Sequence, residues 1–421
     1  MPTTNLELSD RDRALLAGEE GPAGQLAMRL VTEVAHLLGA ERLVTVESAH
    51  IDGCLHHGDG GVEFAERLVD LGARVAVPTT LNVGALDLLR PDRIKADVSR
   101  KEMALRQMKA YEVLGCQPTW TCAPYQVGHR PRPGQHVAWG ESNAVAFANS
   151  VLGARTNRYG DFMDICCALA GRAPETGLHT DAGRLATVHV DVGRINPDLV
   201  ARDVFYPVLG TWLGRAVGDR VSVITGLPSS VSEDQLKALG AAAASSGAVG
   251  LFHVVGVTPE APTLESATGG MPPQATIEVQ PSELRKALDS LSTARAGDIQ
   301  AVALGSPHFS DAEFCALESL LPDAPFAVPF YVCTSRSQVA RLEEENRLER
   351  LASAGVEIVA DTCVVVTPIL AAGGGVLMTN SGKFAHYTPS NTGYDVLYGS
   401  LEDCVRSAMR GTVVRDEALW R

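Results

Sequence analysis

Two cysteines stand where ordinary core packing does not require them: Cys122 in TCAPY and Cys363 in DTCVV. Their wide separation excludes a zinc-finger spacing and suits a site assembled from several strand ends. Iron–sulfur clusters are held by thiolates, so two loop cysteines with a third ligand form a workable set, and Cys116 lies close enough to Cys122 to serve. A lone cysteine is more often a small buried hydrophobe, and Cys166, Cys167, Cys315 and Cys404 are read that way. Arg155 and Arg158 in ARTNR offer guanidinium forks that match a carboxylate, and Lys383 in NSGKFAHY supplies a point charge in a glycine-lined loop. His50 and His179 are candidates for moving a proton or holding a departing hydroxyl. On an acidic chain such local positives as Arg155, Arg158 and Lys383 fit recognition of a small carboxylate.

Such residues need elements that end in the same place. Helical periodicity marks residues 23–38, 62–71 and 96–114, and a helix opened by polar residues covers 141–153. Short β-branched runs at 42–46, 74–77, 185–192 and 220–225 read as strands. Farther on, near-continuous apolar runs at 251–257, 299–304, 326–333 and 356–366 alternate with helical patterns at 282–292, 310–321 and 336–354. That alternation indicates parallel sheets covered on both faces. Ser310 followed by Glu313 has the spacing of a capping box. The Pro-, Gly- and Thr-rich stretch 258–280 reads as a mobile surface loop.

Ligands of parallel sheets bind beyond the carboxyl ends of the strands. Here those ends run into Glu47-Ser48-Ala49-His50, into Thr79, Thr80 and Asn82, into Gly305-Ser306-Pro307-His308, and into Cys333-Thr334-Ser335. The recurrence of Ser, Thr, His and Cys exceeds what turns demand. The expected organisation is α/β in two or more domains: a first region over 1–228 carrying TCAPY and ESNAV…ARTNR, a second over 229–370, and a segment 371–421 returning to pack on the first.

Composition narrows the partners. A chain of 421 residues with 45% hydrophobic and 20% charged residues is an ordinary globular protein. Its net charge of −14 argues against nucleic acid and anionic membranes, which attract positive fields. No apolar run has the ~20 residues of a membrane helix, and the opening MPTTNLELSDRDRALL has no secretory pattern. The expected location is the cytoplasm. GGG at 373–375 is not a dinucleotide fingerprint, and no Walker, HExxH or GxSxG motif is present.

ESAHIDG at 47–53, VPTTLN at 77–82, TCAPY at 121–125, AWGESNAVAFANSVLGARTNR at 138–158, GLHT at 177–180, YVCTSR at 331–336, ADTCVVV at 360–366 and NSGKFAHYTP at 380–389 together resemble aconitase X, the outlying branch of the aconitase superfamily. The resemblance runs in order from about residue 7 to residue 410. It implies an aconitase-like fold of parallel or mixed sheets flanked by helices. It also implies a hydro-lyase: bacterial members dehydrate cis-3-hydroxy-L-proline to Δ1-pyrroline-2-carboxylate, and archaeal members dehydrate mevalonate 5-phosphate. An iron centre, either an iron–sulfur cluster ([2Fe-2S] or [4Fe-4S]) or mononuclear iron, is implied as Lewis acid. By motif match Cys122 and Cys363 hold it, and the third ligand comes from a Gly-Cys-Pro-His loop. The resemblance also implies Ser48, His50 and His179 as catalytic groups and Thr80, Glu141, Asn143, Arg155, Asn157, Arg158 and Lys383 as substrate-binding groups in the removal of water from the acid.

Here that loop reads Gly305-Ser306-Pro307-His308. Serine is a harder and less acidic ligand than cysteine, so an iron bound through Ser306 would be held more weakly or with altered redox behaviour. The family also has a small swivelling domain whose serine acts as base, and the pattern here covers only the large part, so a separate small subunit is expected. The rival expectations are a dehydratase or isomerase for another hydroxy acid, a catalytically silent binding subunit, and a metal-free enzyme in which Ser306 itself shuttles protons.

Overall fold

The computed structural model describes residues 6–420, which fall into two compact units. One comprises the chain up to Leu86 together with Asp97–Leu185; the other comprises Asp87–Ala96 and the chain from Ala186. In the first, the strands Thr79–Leu81, Ala49–Ile51 and Ala138–Trp139 form an all-parallel sheet with Ala49–Ile51 in the centre. The run at 74–77 is not a strand; the ladder starts at Thr79, where the chain pairs with Ala49. A separate antiparallel pair joins Leu43–Thr45 to Arg172–Pro174.

The second unit holds two all-parallel sheets. Four strands stand in the order Phe252–Val254, Ser222–Thr225, Val188–Asp191, Ala275–Glu278. Five stand in the order Val356–Ala360, Phe330–Thr334, Ala301–Leu304, Val376–Thr379, Asp395–Tyr398. Strands Ala301–Leu304 and Phe330–Thr334 are buried throughout, and on one face Val302, Leu304, Phe330 and Val332 pack with Phe314, Leu342 and Cys404. Ser310 and Glu313 close the reciprocal cap of helix Asp311–Glu318.

Three expectations change. A boundary at 228 would cut the four-stranded sheet between Ser222–Thr225 and Phe252–Val254; the compact units divide at Leu185 and Ala186 instead. The stretch 258–280 is not a plain loop, since it contains helix Leu264–Thr268 and the edge strand Ala275–Glu278. Residues 371–421 are integral to the five-stranded sheet, with Ala301 paired to Leu377, and the Tyr398 hydroxyl donates to the Val204 carbonyl at 2.9 Å. Two elements also end early at left-handed residues: strand Val356–Ala360 stops before Asp361 (φ 63°), and the 336–354 helix breaks at Asn346 (φ 57°).

Small residues let two helices meet at backbone distance. A Cβ on Gly210 would lie 2.2 Å from the Leu239 carbonyl, and one on Gly214 would lie 2.5 Å from that of Ala243. Helices Phe205–Val217 and Glu233–Ser246 pack along this glycine and alanine seam, one use of the many small residues.

Candidate active site

The central strand of the first unit carries His50 between Thr80 on one neighbour and Trp139 on the other, each its register partner. His50 lies within a strand that is buried throughout, not in a loop beyond one. Its Nδ1 is 2.8 Å from Thr80 Oγ1, which is 2.7 Å from Nδ1 of His129; Nε2 of His129 is 2.8 Å from Ser48 Oγ. Trp139 stands against both imidazoles, with ring centroids 5.5 Å from His50 and 5.0 Å from His129. Burial pushes the His50 pKa well below 6.5 and that of His129 down to about 4, so both rings are neutral near pH 7. Ser48, His50 and Thr80 therefore come together as expected. His129 was missing from the sequence reading. It sits in the polar loop after TCAPY, but no spacing in the sequence ties residue 129 to residues 48 and 80.

His179 belongs to a different cluster of the same unit. Its Nε2 meets the Tyr159 hydroxyl at 2.7 Å and its Nδ1 meets Nδ1 of His136 at 2.9 Å, so both ring nitrogens are engaged inside the protein. Burial, with the nearby His136 and two arginines, lowers its pKa to about 3. Arg155 donates to the His179 carbonyl at 3.2 Å and forms an ion pair with Asp181. Asn157 donates to the Thr176 carbonyl and accepts from the Leu178 amide, which pins the same turn. Arg158 is exposed.

Around Cys122 the chain is tightly held. Glu141 caps helix Ser142–Ser150 by accepting from the Ala144 amide at 2.6 Å. Asn143, fully buried, donates to the Cys122 carbonyl and contacts the Tyr125 hydroxyl, both at 3.2 Å. Tyr125 in turn stacks on Phe147. The aromatics of WTCAPY thus fasten the loop, leaving Cys122 with 7% of its surface exposed.

Ser306, Cys363 and Lys383 belong to the second unit. The Ser306–Pro307 peptide is cis, and Gly305 (φ 89°) is placed so that any Cβ would lie 2.0 Å from the Cys333 carbonyl, which only glycine permits. His308 Nε2 lies 3.3 Å from the Thr362 carbonyl, so the Ser306 loop touches the loop of Cys363. On its other side the Ser306 carbonyl accepts from the Ser381 hydroxyl, the cap of helix Gly382–Thr392, whose second residue is Lys383. Beneath, Lys237 is buried and paired with Asp234 at 2.7 Å and Glu313 at 2.5 Å, and it donates to the His308 carbonyl at 3.4 Å. Although burial pulls its pKa down, the two carboxylates hold it above 10.5. Gly305, Ser306 and Pro307, with Asn380, Ser381 and Gly382, line one wall of a cleft of ≈ 650 Å³. Cys315, expected in the core, is exposed beside Arg347.

An iron centre can be tested against these donors. Among the described residues no three His, Cys, Asp or Glu side chains surround a metal-sized space. Ser306 and Cys363 nevertheless stand on touching loops of the second unit, 7% and 8% exposed, an alcohol and a thiol that fit iron in chemical kind, and Cys122 offers a thiol in the first unit.

Comparison with known proteins follows the same outline. Residues 5–182 match the Aconitase X first domain, 186–289 the second and 299–410 the third. A cis-3-hydroxy-L-proline dehydratase of Pseudomonas aeruginosa is 45% identical over 409 residues, covering 95% of this chain and 69% of that protein. A phosphomevalonate dehydratase large subunit of Methanothermobacter thermautotrophicus is 37% identical, covering 95% of this chain and 98% of that protein. The crystal structure of Thermococcus kodakaraensis aconitase X in its holo-form superposes with a TM-score of 0.86 at 34% identity, covering 96% of this chain and 100% of that one. With three successive domains matched in order and the fold shared over 96% of its length, the chain belongs to the aconitase X family.

Proposed function

We propose that the chain is the catalytic part of a hydro-lyase for a small hydroxy acid, with cis-3-hydroxy-L-proline as its substrate. The observation that carries this reading is the 45% identity to a cis-3-hydroxy-L-proline dehydratase, against 37% for a phosphomevalonate dehydratase large subunit. The reaction removes the proton alpha to the carboxylate and the hydroxyl beta to it, releasing water. The cyclic enamine that remains tautomerises to Δ1-pyrroline-2-carboxylate.

His50 manages the proton of the departing hydroxyl at Nε2, the ring nitrogen that has no partner among the described residues. Lys383, in the first turn of its helix, receives the carboxylate, where the positive end of the helix dipole reinforces the ammonium. Arg155, bound to Asp181, shapes the His179 turn instead of meeting substrate. Cys122, Cys363 and Ser306 would hold an iron centre, which would supply Lewis acidity at the departing hydroxyl. The archaeal relative is named a large subunit, which supports a small partner subunit here as well, carrying the base that takes the alpha proton. Among the described residues no helix is long and apolar enough to cross a membrane, in keeping with a cytoplasmic enzyme of small metabolites.

The test is turnover by protein purified without oxygen and co-expressed with its small subunit, offered cis-3-hydroxy-L-proline and mevalonate 5-phosphate in parallel. The cyclic imine is expected from the first. Turnover of mevalonate 5-phosphate alone would transfer the chain to the second activity, and iron-loaded protein inert toward both would make it a binding subunit. Ser306→Cys is expected to retain more iron than the wild type on metal analysis.

A further inference from the structure

His50 has no exposed surface, and among the described residues its Nε2 has no hydrogen-bond partner. An imidazole so placed does not trade protons with water directly. A neutral imidazole that simply loses its proton becomes an anion, which burial opposes strongly. Its Nδ1, however, begins a row of hydrogen bonds to Thr80, His129 and Ser48, in that order. Ser48 keeps 8% of its surface exposed and His129 is half-buried, so the row runs from a nitrogen closed to bulk water to groups nearer the surface.

Thr80 has one hydroxyl hydrogen and cannot donate to both imidazoles at once. With the Thr80 hydrogen used within the row, two arrangements keep every link bonded; were Thr80 to accept from both rings instead, both would carry hydrogen on Nδ1 and the row could not relay. In one, Ser48 donates to His129 Nε2, His129 Nδ1 donates to Thr80, Thr80 donates to His50 Nδ1, and His50 carries its hydrogen on Nε2. In the other, every bond runs the opposite way and His50 Nε2 is bare. One proton moved across each link converts the first into the second, and no ring is charged in either.

We propose that Ser48, His129 and Thr80 form a proton wire that lets His50 give up the proton on Nε2 by switching tautomer, with His129 as the positioning residue that completes it. The proton lost at Nε2 is made good at Nδ1 by Thr80, at Thr80 by His129, at His129 by Ser48, and at Ser48 by solvent. Each group gives one proton and takes one, and the reverse sequence resets the row. Trp139, packed against both imidazoles, holds the rings in the orientation the row requires. The use of the wire in turnover rests on the hydro-lyase reading; its existence does not.

The experiment labels the histidine rings with nitrogen-15 and reads their tautomers near neutral pH from two-bond proton–nitrogen correlations, assigned by single His50→Asn and His129→Asn substitutions. The expected result is opposite tautomers, one ring protonated at Nδ1 and the other at Nε2. Identical tautomers overturn the wire, whatever the protein does to any substrate. Thr80→Val removes the hydroxyl at nearly constant shape and is expected to lower kcat at least about 100-fold with KM changed less than about two-fold. Thr80→Ser is expected to restore both kcat and the opposite tautomers, a rescue that a packing role for the threonine methyl would not give. Opposite tautomers with kcat unchanged in Thr80→Val overturn the proposed use of the wire and leave the hydro-lyase reading standing; a wild type inert toward every hydroxy acid sinks that reading and leaves the tautomer result to decide the wire.

Discussion

Asn143 gives its amide hydrogens to the loop of Cys122, at the carbonyl of the cysteine and toward the hydroxyl of Tyr125. A buried amide used this way decides where a thiol sits without touching what the thiol binds. Asn143→Ala is expected to cost about 1–3 kcal/mol, because the Cys122 carbonyl loses a buried donor. Urea unfolding measures that loss, and faster reaction of Cys122 with a thiol reagent in the folded variant reports the loosened loop. Arg155 acts in the same way through its ion pair with Asp181 and its bond to the His179 carbonyl, which hold the His179 turn.

Helices Phe205–Val217 and Glu233–Ser246 are the pair whose approach is set by absent side chains. Helix Glu233–Ser246 also carries Lys237 up to the carbonyl of His308, so the seam between the two helices bears on the Ser306 loop. Gly214→Ala would place a methyl 2.4 Å from Ser246 Oγ and 2.5 Å from the Ala243 carbonyl. Expected destabilisation is about 1–3 kcal/mol, since overpacking outweighs alanine's better helix propensity. A lowered denaturant midpoint at unchanged slope is the readout. An unchanged midpoint would mean that the two helices part at little cost.

Over the whole molecule, buried ionisable groups of opposite kinds set the pH response. Burial depresses His50, His129 and His179, the last two to about 4 and about 3. Below the ordinary 6.5 the unfolded chain takes up protons that these folded rings refuse, so stability falls with pH by about 1.4 kcal/mol per unit and per ring until each folded pKa is reached. Asp164 acts in the other direction. Burial raises it from 3.8 to about 7, despite amide hydrogen bonds from Asp52 and Ile165, so its contribution is complete below 3.8 and is lost as pH rises toward 7. His179→Gln is expected to flatten the acid-side loss between about pH 6.5 and 4. Asp164→Asn is expected to gain on the wild type as pH climbs from about 4 to 7. Urea midpoints across that range check both signs, and parallel curves for either variant would refute the corresponding shift.

Periodicity and local chemistry were enough to read the parallel sheets, the Ser310–Glu313 cap and the family, because side-chain spacing of two or 3.6 residues and short-range hydrogen bonds are properties of neighbouring residues. The motif loops likewise marked Ser48, His50 and Thr80. Local spacing did not show that Thr79–Leu81, and not residues 74–77, forms the strand, since register against Ala49–Ile51 decides that. Nor did it show that residues 186–228 pair with later strands. His129 had no local signal at all, for its two partners lie 49 and 81 positions earlier in the chain and meet it only after the sheet has formed. The partners of His179 and Arg155 were equally beyond reach: which groups stand beside a polar side chain depends on what folding brings there from distant parts of the chain, and here those groups are Tyr159, His136 and Asp181.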